Sequence, residues 1–195
     1  MLLEDKKILF IHIPKCAGTS IAKLLDWSVV WGDRHRPLQS YTEEYSEDFL
    51  ESCFKFTIVR NPWDRMVSWY FYHKHPQYKV KTKEAFQSWV KEGMSTHWSL
   101  PGKIIGQRDW NNYDELSIID FLNNDKNIDL DYIGKVEALD KDMEHICKKT
   151  NTKYKPLPKR NTSKRLHYTE YYDEETKNIV RNRFSRDLSL FPYEF

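Results

Sequence analysis

Long apolar runs are missing from this chain. No hydrophobic stretch among its 195 residues approaches the roughly 18–20 needed for a membrane-spanning helix. Glu4, Asp5, Lys6 and Lys7 precede a short apolar run that reads as a strand and not as a signal peptide. With Met at position 1 and no anchor in view, a cytoplasmic protein is the expectation, with a piece excised from a longer anchored protein as the alternative. Cysteine is scarce: Cys16, Cys53 and Cys147 are odd in number and lack metal-ligand spacing. No disulfide framework follows, which suits a reducing compartment, and all three read as buried space-fillers. An excess of one charge is missing too. Lys and Arg total 31 against 29 Asp and Glu, and the net charge of +2 argues against a general nucleic-acid binder. There is no internal repeat and no low-complexity segment. Charged residues make up 31% and mean hydropathy is −0.77, the profile of a soluble protein. The length fits one domain, residues 1–195, with a sizeable core.

What is present is concentrated in residues 8–20. Ile8 to Ile13, interrupted only by His12, reads as a buried strand of a parallel sheet. A tight Pro14-Lys15-Cys16-Ala17-Gly18 turn follows, and Thr19-Ser20 open an apolar-periodic helix through Ile21, Leu24 and Leu25. Strand, short loop with Lys and Gly, then helix start is the arrangement of an anion cradle. Backbone N–H groups and the positive end of the helix face the ligand, with hydroxyls and an ammonium beside them. The Walker nucleotide loop is a different pattern. It needs two glycines, the second followed directly by Lys and Ser or Thr, whereas Lys15 here precedes the single Gly18. A nucleotide kinase would also need acidic Mg²⁺ ligands near the loop, and none is found there.

A second segment has the same logic. Phe54-Lys55-Phe56-Thr57-Ile58-Val59 reads as a strand rich in β-branched and aromatic residues. It runs into Arg60-Asn61-Pro62-Trp63-Asp64-Arg65-Met66-Val67-Ser68, where Pro62 suits the first turn of a helix. Arg60 at the strand end and Ser68 two helical turns on could both reach one anion.

These two segments resemble the 5′-phosphosulfate loop and the 3′-phosphate motif of sulfotransferases that use 3′-phosphoadenosine 5′-phosphosulfate (PAPS). The likeness continues through Tyr132-Ile133-Gly134-Lys135-Val136-Glu137, Pro158-Lys159-Arg160-Asn161-Thr162-Ser163, His167-Tyr168, Tyr171-Tyr172 and Phe191-Pro192-Tyr193. It is closest to the carbohydrate branch that includes heparan sulfate 2-O-sulfotransferase. The resemblance implies transfer of a sulfuryl group from PAPS to a hydroxyl, with 3′,5′-adenosine bisphosphate as the other product and no metal. The acceptor it implies is a glycan or glycoconjugate sugar. A small alcohol or phenol is the alternative acceptor, and a kinase-like or non-catalytic nucleotide-binding protein is the alternative class.

The same resemblance implies roles for named residues. Lys15 would stabilise the departing oxygen. Ala17, Gly18, Thr19 and Ser20 would hold the phosphosulfate, and Arg60, Ser68 and Arg160 the 3′-phosphate. His35, in Gly32-Asp33-Arg34-His35-Arg36-Pro37, is similar to the general base of the uronic-acid 2-O-sulfotransferases. An imidazole suits removal of a hydroxyl proton near neutral pH. Read without the family, His35 is an exposed loop residue between two arginines. Arg34 and Arg36 are candidates for the acceptor, as are His97 and Trp98, which resemble an acceptor-side His-Trp pair or are ordinary loop aromatics. His12 is a hydrogen-bonded core residue or a support for the site. Most aromatics, including Trp63, Trp69 and Tyr70, are expected in the core. Trp98, Trp110 and Tyr113 are possible stacking platforms. No acid lies between Glu144 and Glu170, a span holding Lys148, Lys149, Lys153, Lys155, Lys159, Arg160, Lys164 and Arg165. Such a run could funnel an anionic acceptor.

The expected fold is α/β: a central parallel sheet with helices on both faces, of the P-loop-like sulfotransferase type. Strands are expected near 7–13, 28–31, 54–59 and 132–136. Helices are expected near 18–26, 62–75, 83–92, 115–123, 139–150 and 169–186.

Overall fold

A computed structural model describes residues 1–27, 35–72, 80–94, 117–123, 126–157 and 165–195. The chain groups into two compact units, one formed by Met1–Val59 with Leu100–Arg160 and the other by Arg60–Ser99 with Asn161–Phe195.

Among the described residues, the first unit is built on a four-stranded sheet in the order β1 (Leu2–Leu3), β2 (Ile8–Ile11), β3 (Phe54–Val59), β4 (Tyr132–Lys135). β2, β3 and β4 are parallel, with Ile8 opposite Phe54 and Phe56 opposite Tyr132. Alternate residues Ile8, Phe10, Phe56 and Ile58 form one face. They pack with Ile21, Ala22 and Leu24 of α1 (Gly18–Leu24) and with Met143, Ile146 and Cys147 of α7 (Leu139–Lys149). Leu9, Ile11, Thr57 and Val59 on the opposite face are buried as well. Burial on both faces is why these strands read as continuous apolar runs. Each large apolar side chain removed from water there contributes about 1.5–3 kcal/mol.

The parallel centre is as the sequence predicts, and an antiparallel edge is added to it: Leu2 pairs with Leu9 and Leu3 with Ile8. Only Glu4–Lys7 separate the two strands, and a connection that short can only form a hairpin. The strand expected near 28–31 lies outside the described residues. Two helices lie beyond those the sequence predicts, α2 (Leu38–Glu44) and α3 (Glu47–Glu51). α3 does carry a start signal, since Ser46 Oγ accepts the Phe49 N–H and Glu47 and Asp48 occupy the first turn. A short α6 (Ile118–Leu122) also belongs to this unit.

The second unit is helical: α4 (Pro62–Tyr72), α5 (Lys83–Lys91), a 3-10 turn (Tyr168–Tyr171), α8 (Glu174–Arg183) and α9 (Ser185–Leu190). The single helix expected over 169–186 is thus divided. Asp173 makes the break, because its carboxylate accepts the Thr176 N–H while Thr176 Oγ1 accepts the Asp173 N–H, a reciprocal cap that starts a new helix. Aromatic rings fill the core: Phe86 meets Tyr172 edge-on at 4.9 Å and Tyr70 at 5.5 Å. Trp63, Trp69 and Tyr70 are buried, as expected from the sequence.

Candidate active site

The loop after β2 has an uncommon backbone. Lys15 and Ala17 both adopt positive φ, 67° and 60°, which costs an L-residue roughly 1–2 kcal/mol. Between them Cys16 is fully buried and donates its N–H to the Ile13 carbonyl at 3.3 Å; its thiol is the space-filler the sequence suggests. Ala17 is the N-cap of α1, and its carbonyl accepts the N–H groups of Ser20 and Ile21. Gly18 and Thr19 occupy the first two helical positions, where a helix supplies no carbonyl of its own for the N–H. Thr19 is exposed, Ser20 is buried, and Lys15 is half-buried. The loop therefore combines two strained residues, helix-mouth N–H groups, two hydroxyl residues and an ammonium. Strain of this kind collects at sites of function.

His35 lies beside this loop. Its Nδ1 is 3.0 Å from the His12 carbonyl oxygen, and the two imidazole rings are 4.2 Å apart at 45°. His12 is 6% exposed, a core residue that touches His35 through both its carbonyl and its ring. Arg36 reaches onto α2, which follows it: Nε donates to Ser40 Oγ at 3.0 Å, Nη2 pairs with Glu44, and the guanidinium lies over the Tyr41 ring. The sequence suggests an acceptor-binding arginine there, and the structure shows one engaged with α2.

In the second unit the Arg60-Asn61-Pro62 segment folds as its residue types dictate. Asn61 Oδ1 accepts the N–H groups of Trp63 and Asp64, and its Nδ2 donates to the Glu194 carbonyl at 2.9 Å. Asn61 thereby caps α4, and Pro62 takes the first helical position. Arg60 Nε and Nη2 both donate to Asp64 Oδ2, at 2.9 and 2.7 Å. The other oxygen, Oδ1, accepts from Arg165 Nη2. Burial alone would raise the Asp64 carboxyl, but the Arg60 and Arg165 guanidiniums hold it below the ordinary aspartate value. One carboxylate therefore gathers two guanidiniums, each only 13–14% exposed in its side chain. Nearby, Tyr172 donates its hydroxyl to the Trp63 carbonyl at 2.9 Å. Burial pushes that hydroxyl well above its usual value, and the Asp64 charge adds to the effect. Ser68 stands half-buried on α4, one turn beyond Asp64.

Arg165 is the partner of Asp64 that sequence reasoning missed. It stood in the acid-free basic run, but nothing local marks it, because its partner Asp64 is 101 positions away. Arg34, His97, Trp98 and Arg160 lie outside the described residues, as do Trp110 and Tyr113.

No curated protein matches the chain. A family model does: the one described as the sulfotransferase family matches residues 1–194, taking in the loop after β2, the capped Arg60-Asn61-Pro62 segment and the helices of the second unit. With that match over nearly its whole length, the chain belongs to the sulfotransferase family and its chemistry is sulfuryl transfer.

Proposed function

We propose that residues 1–195 act as one catalytic domain that transfers a sulfuryl group from PAPS to a hydroxyl on a sugar of a glycan or glycoconjugate. The observation that carries this reading is the loop at Lys15 and Ala17, whose left-handed residues precede the N–H groups of Gly18 and Thr19. That donor set suits the 5′ phosphosulfate. Arg60, oriented by Asp64, suits the 3′-phosphate together with Ser68 and Arg160, and this selects PAPS over ATP. When bound, PAPS supplies a sulfuryl group activated by its link to a phosphate oxygen.

The chain's residues then have distinct tasks. Ala17 to Ser20 orient the donor, and Lys15 neutralises the charge that develops on the bridging oxygen as its bond to sulfur breaks. His35 takes the acceptor's hydroxyl proton as the new oxygen–sulfur bond forms. Positioning and electrostatics supply most of the rate, as in phosphoryl transfer. The likeness to the 2-O-sulfotransferase branch supports the sugar acceptor and the part given to His35. Among the described residues no helix is long and apolar enough to cross a membrane, and the cytoplasmic placement expected from the sequence stands as part of this proposal.

The test is bisphosphate release from PAPS with a panel of glycans beside small alcohols and phenols. Release that depends on a glycan is expected. Release with a phenol or small alcohol alone would overturn the sugar acceptor.

A further inference from the structure

His12 follows the apolar run Ile8–Ile11 of β2, and its ring is enclosed on three sides within the first unit. It stacks on Phe10 at 5.4 Å and 17°, and Phe10 stacks in turn on Phe56 at 4.8 Å. On a second side it closes over Gly18, where an added Cβ would lie 1.8 Å from His12 Nε2. Gly18 is therefore required by the histidine ring. On the third side stands the ring of His35, 4.2 Å away. His12 thus meets His35 twice, through its carbonyl at Nδ1 and through its ring.

The two contacts do different things. The carbonyl can only accept, so while the bond is made it favours the proton on Nδ1 and leaves the lone pair on Nε2. A carbonyl accepts over a broad range of directions, however, so one such bond leaves an imidazole free to swing. A buried flat ring against the same imidazole removes that swing, and the Phe10–Phe56 stack keeps the flat ring still. We infer that His12 is a positioning residue that holds His35 in the Nδ1–H tautomer with the lone pair on Nε2. The inference rests on the reading of His35 as the base and adds the atom that takes the proton and the residue that sets it.

Long-range proton–nitrogen correlation spectra of the protein with labelled histidine rings test this, with His35→Gln identifying the His35 signals. At about pH 8, where an ordinary imidazole is neutral, wild-type His35 is expected as a single tautomer protonated on Nδ1. His12→Phe, which keeps a flat ring, should retain that pattern. His12→Ala should lose it and show signals averaged between tautomers. A wild-type His35 protonated on Nε2, or already averaged, would overturn the inference. So would an unchanged pattern in His12→Ala, or a pattern lost in His12→Phe. If His12→Ala fails to fold, the wild-type spectrum and His12→Phe still decide. The measurement needs neither donor nor acceptor. A chain that binds no bisphosphate would therefore count against the proposed function and leave the tautomer result to be judged separately.

Discussion

Lys15 carries its ammonium on a left-handed backbone, and Ala17 two positions on is left-handed too without being glycine. Side chains on such a turn are held by the surrounding structure and not by their own preference. On the proposed mechanism Lys15→Ala should lower turnover by about 10²–10³-fold, the range seen when a preorganised charge-stabilising group is removed, while bisphosphate affinity is largely kept. His35→Ala should abolish transfer with affinity unchanged. Turnover assays beside calorimetry separate the two, and a collapse of affinity in His35→Ala would make it a donor-binding or structural residue. Asp64 gives a prediction about pH. Its folded value lies below the ordinary 3.8, so its ionised form stabilises the fold at and above that pH. The contribution is lost as pH falls through the lowered value. Asp64→Asn should therefore cost about 2 kcal/mol near neutrality. It should also flatten the acid limb of a plot of Tm against pH, and a limb as steep as wild type would refute the account of its two arginines.

At the scale of elements, α4 depends on Asn61. Loss of the two N–H bonds to its Oδ1 in Asn61→Ala should destabilise the protein by about 0.5–2 kcal/mol in urea. No measurable change would mean the helix start is held by other contacts. The elements also show what a sequence reveals. β2, β3, α1 and α4 were legible because their signals are contiguous: apolar runs, then a loop or a cap, then an apolar period. α2 was not, since Arg36-Pro37 precedes it and its buried residues include Ser40 and Thr42, which carry no apolar signal. Missing α2 hid the partners of Arg36, which are four and eight residues ahead on that helix. The division near Asp173 was hidden because the apolar period continues past a local cap. Arg165 was hidden for the opposite reason, as its cue is a contact with a residue 101 positions away. The loop chemistry of the site is thus readable locally, while the second guanidinium on Asp64 needs the fold.

For the molecule as a whole, the family match spans residues of both compact units. The central claim is that this chain recognises a donor by its 3′-phosphate. Calorimetric titration of the whole chain with 3′,5′-adenosine bisphosphate, beside ATP and AMP and without added metal, tests it most directly. Selective binding of the bisphosphate, weakened in Arg60→Ala, is the predicted result. Binding of ATP alone, on repeating the titration with Mg²⁺, would contradict the account and restore the kinase reading.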